Sequence, residues 1–163
     1  MRRLSYTQSP ALTDEEIEIF LKETKIARIC TFNDNGTIHA VPVWFKYENG
    51  QFTIAAPEKS RKIRNILRND NVTLLIDVAG PPTRGVIVYG KGEVDFAEWD
   101  LEAVSLLEKY FSKEDAEKTL EGVSKLAKWV KISIKPNNMA SFDYAKDDKY
   151  WSVVSYAPGE RQS

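Results

Sequence analysis

Residues 26–57 read IARICTFNDNGTIHAVPVWFKYENGQFTIAAP and carry the clearest strand pattern in the chain. Apolar and polar residues alternate along it at a period of two, which is typical of β-strands with one buried face. The dipeptides Asn35-Gly36 and Asn49-Gly50 interrupt the alternation. Both suit tight hairpin turns of type I′, because their residues tolerate positive φ. The stretch therefore predicts a meander of three strands, over residues 26–32, 37–47 and 51–56.

Further strands with the same period follow this meander. They span residues 72–78, 86–96 and 130–135. A proline cannot donate a backbone hydrogen bond to a ladder. We therefore expect Pro42 to mark a bulge or a sheet edge, and we expect Pro136 to end the last strand. Gly90 and Gly92 lie on one face within a strand, which indicates sharp coiling or the close approach of another backbone.

Helical signals lie between the strands. Residues 13–16 form a capping box before a short amphipathic helix, and residues 58–70, EKSRKIRNILRND, indicate a basic helix. Asp100 and Ser112 are predicted to cap two more helices. At least six strands joined mostly by turns favour a closed antiparallel barrel, since closure removes the unpaired edges of an open sheet.

The composition indicates one globular domain. The 163 residues carry 23 Lys+Arg against 24 Asp+Glu, which gives no support for a nucleic-acid or membrane partner. No stretch has the roughly 18 to 20 apolar residues of a membrane span. One cysteine and one histidine exclude an internal disulfide and a zinc site built from Cys and His ligands. We expect a cytoplasmic protein with a single domain over residues 1–163, in which residues 1–12 and 146–163 are mobile tails or pack on a partner.

Cys30 and His39 each have two interpretations. Cys30 is either a small core residue of its strand or a reactive thiol. His39 is either a packed or hydrogen-bonded strand residue or a catalytic group. The sequence contains no phosphate-binding P-loop, no dinucleotide fingerprint, and no Gly-x-Ser-x-Gly or His-Glu-x-x-His motif.

The strongest chemical signal is Ser60-Arg61-Lys62 at the start of the basic helix. A helix N-terminus offers free N–H groups and a positive dipole, to which Ser60 adds a hydroxyl donor. Arg61 can bind two phosphate oxygens at once, and Lys62 adds a point charge. The tripeptide therefore suggests a site for a phosphate monoester. The alternative interpretation is that these are solvated charges on a surface helix.

The order and spacing of six short segments resemble those of the pyridoxamine 5′-phosphate oxidase-related family of FMN-binding split barrels. The resemblance covers about residues 13 to 136. The segments that carry it are Ala27 to Thr31, His39 to Phe45, Ser60 to Lys62, Asn65 to Asn69, Val72 to Leu75, and Gly85 to Val94.

This resemblance implies a fold, a cofactor site and a partner. The fold is α+β and mainly β, a six-stranded antiparallel split β-barrel with flanking helices. The implied cofactor is FMN, whose phosphate Arg61 and Lys62 would hold with support from Ser60. A homodimer is implied too, with the flavin in a cleft between the subunits. The other implied flavin contacts are Val41, Pro42, Val43, Trp44, Phe45 and Lys46 alongside the isoalloxazine, Ala55 and Ala56 near the flavin and ribityl chain, and Gly85.

The sequence departs from the true oxidase where that enzyme recognises its substrate. Val41 stands in place of an arginine, although Lys46 matches the lysine at the other end of the strand. The oxidase's C-terminal arginine and histidine motif has no counterpart in residues 147–151. We therefore expect an FMN-dependent oxidoreductase acting on a small molecule that the sequence does not identify. The alternatives are a reductase that uses the deazaflavin coenzyme and a non-catalytic module that binds flavin or haem.

Overall fold

A computed structural model describes residues 10–152 of the chain. Its five helices are α1 (Asp14–Glu23), α2 (Arg61–Arg68), α3 (Asp100–Leu107), α4 (Lys113–Ser124) and α5 (Asp148–Trp151), and a 3₁₀ turn spans Tyr144–Lys146. The strands within residues 10–152 are β1 (Ala27–Phe32), β2 (Ile38–Val43), β3 (Lys46–Glu48), β4 (Gln51–Pro57), β5 (Asn71–Val78), β6 (Arg84–Asp95) and β7 (Trp129–Asp143).

The strands form one antiparallel sheet in the order β2-β1-β5-β6-β7-β4-β3. The sheet curls into a half-barrel with helices on its flanks, which confirms the mainly β split-barrel prediction. The strand count is seven instead of six, because the predicted strand over residues 37–47 is two strands. The chain leaves the ladder at Trp44 and Phe45 before it pairs again in β3.

Pro42 and Pro136 illustrate one correct and one wrong prediction. Pro42 lies on β2 at the edge of the sheet, as predicted. Pro136, however, does not end β7, which continues to Asp143. The register shifts between Tyr89 and Gly90, so that Gly90 lies opposite Pro136. This bulge accommodates Pro136, because the backbone N–H that a proline lacks falls where the regular ladder is already interrupted.

Gly90 also allows the close backbone approach that its position predicts. A Cβ atom at Gly90 would lie 2.6 Å from the backbone oxygen of Lys135. In the hairpin between β3 and β4, Asn49 and Gly50 both have positive φ, at 51° and 75°. The earlier turn is different, because only Gly36 has positive φ there and Asn35 accepts a hydrogen bond from the amide of Thr37.

The helix starts follow the sequence with one exception. The side chains of Thr13 and Glu16 form the predicted capping box of α1, and Ser112 caps α4. Asp100 is the first residue of α3 and not its cap. The cap position belongs to Trp99, whose side chain makes no capping hydrogen bond.

One large core joins the buried face of the strands to α1 and α2. Helix α1 contributes the buried Phe20 and Leu21, and α2 contributes Ile63 and Ile66. A smaller cluster joins α3 to α4 through the buried Leu106, Leu107 and Ala116. The α3–α4 pair contacts β4 and carries the residues that close the cavity described below.

The described parts of the two predicted tails contact the rest of the protein. The amide of Asp143 donates to the carbonyl of Pro10 at 2.9 Å, and Leu12 is buried. Asp147 is buried and caps α5. Residues 1–9 and 153–163 lie outside the described residues. No helix within residues 10–152 is both long and apolar enough to cross a membrane.

Candidate functional site: a basic helix start beside an apolar cavity

The start of α2 lies directly after β4. The amide of Ser60 donates to the carbonyl of Pro57 at 2.9 Å, which turns the chain from the strand into the helix. Ser60 then occupies the N-cap position with extended backbone angles, φ −70° and ψ 156°. This turn places the free N–H groups of the helix, and with them the positive end of its dipole, beside the sheet.

A hydrogen-bond network holds α2 against β1. Asn65 is 3% exposed, and its Nδ2 atom donates to Oγ1 of Thr31 at 3.0 Å and to Oδ1 of Asn33 at 3.1 Å. Arg68 donates to the carbonyl of Phe32 at 2.6 Å and to Oδ1 of Asn65 at 3.2 Å. These contacts fix the position of the helix start relative to the sheet.

The hydroxyl of Ser60 is buried and has no hydrogen-bond partner. It does not cap the helix, although it stands at the position where a serine ordinarily does so. Buried polar atoms are nearly always hydrogen-bonded in native proteins. The unpartnered hydroxyl of Ser60 is therefore available to donate a hydrogen bond to an acceptor atom of a ligand.

Arg61 and Lys62 are not neutralised by the rest of the described chain. Within residues 10–152, no acidic side chain forms an ion pair with either of them. Arg61 is exposed, whereas Lys62 is partly buried, and that burial lowers the pKa of its ammonium group. Two unpaired cations beside a buried free hydroxyl form a site suited to an anion.

A cavity of about 380 Å³ adjoins this helix start and lies between the sheet and the α3–α4 pair. Of the described residues that line it, Lys62 alone is ionisable. The walls are otherwise almost entirely apolar: Ile26, Pro42, Val43, Trp44, Ala55, Pro57, Trp99, Ala103, Leu106, Leu107, Thr119, Leu120, Val123 and Trp129. This size and polarity are typical of small-molecule sites, in which a few polar groups orient an otherwise apolar ligand.

Tyr110 holds the cavity wall at Trp44. The two rings stack with centroids 4.6 Å apart and an interplanar angle of 17°. The Tyr110 hydroxyl accepts from the amide of Phe45 at 2.8 Å, and it lies 2.9 Å from the carbonyl oxygen of the same residue. Burial raises the pKa of Tyr110 to about 12, so the hydroxyl stays protonated at physiological pH. The tyrosine thereby satisfies the backbone where the chain leaves the ladder between β2 and β3.

Five of the sequence-predicted flavin contacts lie together on the cavity wall: Pro42, Val43, Trp44, Ala55 and Lys62. Ser60 and Arg61 are next to them at the start of α2. Val41 is partly buried and packs against the main core. The side chains of Phe45 and Ala56 are fully buried in that core.

Lys46 and Gly85 lie elsewhere in the chain. Lys46 lines a separate cavity of about 600 Å³, donates to Oγ of Ser105 at 2.8 Å and pairs with Glu48 at 3.0 Å. Gly85 is on β6, where a Cβ atom would lie 2.8 Å from Cζ of Phe142. Neither residue lines the apolar cavity of its own chain.

The sequence did not identify the opposite wall of the cavity. Trp99 precedes α3, and Trp129 begins β7, while Leu106, Leu107, Leu120 and Val123 come from the α3–α4 pair. Apolar spacing on the two helices indicated only that each has a buried face. Within residues 10–152, no group of three or more His, Cys, Asp or Glu side chains is placed to hold a metal ion.

Cys30 and His39 are on neighbouring strands. Cys30 is partly buried, and its burial raises the pKa of the thiol. A raised thiol pKa gives no support for a reactive thiolate. His39 is partly buried on β2, and its surroundings lower the pKa of the imidazole.

Solved structures share the fold. A conserved hypothetical protein from Mycobacterium tuberculosis is 19% identical with a TM-score of 0.73, and the alignment covers 94% of this chain and 96% of that one. A protein described as F420 reductase is 21% identical with a TM-score of 0.60, over 75% and 94% of the two chains. An FAD-binding protein from Mesorhizobium loti is 17% identical with a TM-score of 0.59, over 81% and 93%.

Sequence comparison gives the family. No curated protein matches the chain. The sequence profile of the pyridoxamine 5′-phosphate oxidase family does match, over residues 13–135, which is most of the chain. The match spans α1, every strand up to the middle of β7, and both the basic helix start and the cavity walls. The chain therefore belongs to the pyridoxamine 5′-phosphate oxidase family.

Proposed function

We propose that this protein binds FMN in the apolar cavity and acts as an FMN-dependent oxidoreductase on a small molecule. The observation that carries the proposal is the start of α2, where the free hydroxyl of Ser60 stands beside the unpaired Arg61 and Lys62. A phosphate monoester supplies the acceptor oxygens and the negative charge that these groups lack. Lys62 belongs both to this cluster and to the cavity wall, so one ligand can occupy both.

The proposed site has a charged end that would bind the phosphate and an apolar end that would bind the ring system. Arg61 would hold the phosphate with its guanidinium group, Lys62 would contribute charge from the cavity side, and Ser60 would donate a hydrogen bond from its hydroxyl. Trp44, Trp99 and Trp129 provide flat apolar surfaces for an aromatic ring system and exclude water from it. FMN, when bound, supplies the redox chemistry, so the cavity needs no acid–base pair of its own.

Two fold relatives support a flavin-type ligand. One is described as an FAD-binding protein and another as F420 reductase. The second description favours one alternative cofactor, the deazaflavin coenzyme, which the same basic helix start would hold by its phosphate. A competition titration of FMN against that coenzyme, followed by fluorescence, distinguishes the two.

We also propose a homodimer in which the site is shared between subunits. Lys46 and Gly85 are implied flavin contacts by family resemblance, yet neither lines the apolar cavity of its own chain. In a symmetric dimer, Lys46 and Gly85 of the second copy would contact the ligand instead. A strict monomer that still binds FMN stoichiometrically would contradict this arrangement.

The test of the proposed function is direct. The purified protein is examined for flavin absorbance, and any small molecule that it carries is identified by mass spectrometry. The protein is then saturated with FMN, and NADH or NADPH is added without oxygen. We expect one FMN per chain, bleaching of the flavin band by a nicotinamide donor, and reoxidation by an added acceptor. Absence of FMN binding contradicts the proposal, and binding without any reduction would instead indicate a storage or sensing role.

A further inference from the structure

His39 lies on the same side of the sheet as α2. In the pairing of β1 with β2, His39 is directly opposite Thr31. Directly paired residues of antiparallel strands project to the same face. The side chain of Thr31 is buried and accepts the hydrogen bond from Asn65 of α2, so this face is the one that the helix covers.

The helix places Arg61 over the same region. Arg61 precedes Asn65 by four residues, and side chains with this spacing are neighbours on one face of a helix. Val43, two pairs farther along the same face of β2, lines the cavity together with Lys62. His39 does not itself line the cavity, but it lies four residues from Val43 on the face of β2 that α2 covers, close enough for the charges of Arg61 and Lys62 to act on it.

The electrostatic environment of His39 agrees with this placement. Burial lowers the pKa of its imidazole, and the charges of Arg61 and Lys62 lower it further. Those two cations are the charged groups that act on it from α2, while β1 presents the uncharged Thr31. Within residues 10–152, His39 has no acidic ion-pair partner.

We propose that His39 is a third basic group of the phosphate site, which takes up a proton when a dianionic phosphate monoester binds. The inference rests on the proposed function, because it concerns the same helix start. A bound dianion cancels the repulsion from Arg61 and Lys62 and attracts the imidazolium. His39 is consequently neutral in the free protein at neutral pH and charged in the complex.

The direction of the pH effect follows from linkage. The pKa of His39 is lower in the free protein than in the complex, so binding consumes a proton between the two values. In that window, the contribution of His39 to affinity rises as the pH falls. The phosphate group loses its second charge near pH 6, which opposes this trend. The effect of His39 must therefore be measured against a variant that lacks it.

One histidine in the sequence makes the measurement unambiguous, because the imidazole NMR signal belongs to His39. The signal is followed from about pH 5 to 9 in the free protein and with FMN, riboflavin or inorganic phosphate. We expect FMN and inorganic phosphate to raise the pKa of His39 by about one unit or more, and riboflavin, which has no phosphate, to leave it unchanged. Equal pKa values in the free and phosphate-saturated protein would overturn the inference.

His39→Gln provides the second readout. We expect its FMN affinity to be about three- to tenfold weaker than that of the wild type near pH 6 and equal within about twofold near pH 8.5. Affinity ratios that do not change with pH would contradict proton uptake. If FMN fails to bind, the proposed function is wrong. The titration with inorganic phosphate then still decides whether His39 belongs to an anion site.

Discussion

Asn65 on α2 donates a 3.0 Å hydrogen bond from Nδ2 to Oγ1 of Thr31 on β1, and both side chains are buried. This contact connects the helix start to the strand next to β2. We expect Asn65→Ala to lower the free energy of unfolding by about 1–3 kcal/mol, because it leaves buried polar groups without partners. Chemical denaturation measures the loss.

Arg64→Ala is the matched control, since Arg64 lies one position earlier on the same helix and is exposed. Its effect should stay within about 0.5 kcal/mol. A loss of similar size in both variants would show that the Asn65 network has no special role.

Gly92 and Gly122 give opposite predictions for the same substitution. A Cβ atom at Gly92 would lie 2.9 Å from Cγ2 of Val72 and 3.2 Å from Cγ2 of Ile66, which is on α2. We expect Gly92→Ala to destabilise the fold by about 1–3 kcal/mol through overpacking. Gly122 is in α4 with nothing within 4 Å, so Gly122→Ala should stabilise by about 0.5–1 kcal/mol. Thermal unfolding of both variants tests the pair, and a stabilising Gly92→Ala would contradict the packing described here.

Lys109 predicts a dependence of stability on pH. Its Nζ atom donates to the carbonyl of Leu21 at 2.9 Å and lies 3.6 Å from the centroid of the Phe45 ring. Burial, together with the charge of Lys25, lowers the pKa of Lys109 to about 8. An unfolded chain binds this proton up to about pH 10.4, so the unfolded state holds more protons between these values and stability rises with pH there.

We therefore expect the free energy of unfolding of the wild type, relative to Lys109→Met, to increase between about pH 7 and pH 10. Urea denaturation at several pH values measures the difference. Lys113→Met, at an exposed position, controls for the general effect of removing a lysine. If the free energy of unfolding of the wild type relative to Lys109→Met is constant or falls with pH, the lowered pKa of Lys109 is contradicted.

Short sequence patterns predicted the features of the fold that depend only on adjacent residues. The capping box of Thr13 and Glu16, the positive φ of Asn49 and Gly50, and the edge position of Pro42 all follow from the chemistry of a few adjacent residues. Pro136 was misjudged because the bulge that accommodates it depends on Gly90, a residue 46 positions earlier on another strand.

The residues of the candidate site fall into the same two groups, those placed by the local sequence and those placed by tertiary contacts. Ser60, Arg61 and Lys62 could be predicted to stand together at a helix start, because they form one continuous segment. At the break between β2 and β3, within the predicted strand over residues 37–47, the amide of Phe45 donates a hydrogen bond to the distant Tyr110. The α3–α4 wall and the place of His39 beside α2 depend likewise on tertiary contacts that no short pattern reveals.

The affinity of FMN for the wild type and for Arg61→Ala tests the central claim most directly, with riboflavin as the ligand that lacks the phosphate. Arg64→Ala is the control. Arg68→Ala is less suitable, because Arg68 donates a hydrogen bond to the carbonyl of Phe32. Hydrogen bonds to charged groups contribute about 1.5–3 kcal/mol, so Arg61→Ala should weaken FMN binding by about ten- to a few hundred-fold. Lys62→Ala should also weaken it, while Arg64→Ala should not, and riboflavin should bind weakly and equally to all four proteins. Equal FMN affinity in the wild type and Arg61→Ala would contradict the account and make Arg61 a solvated surface charge.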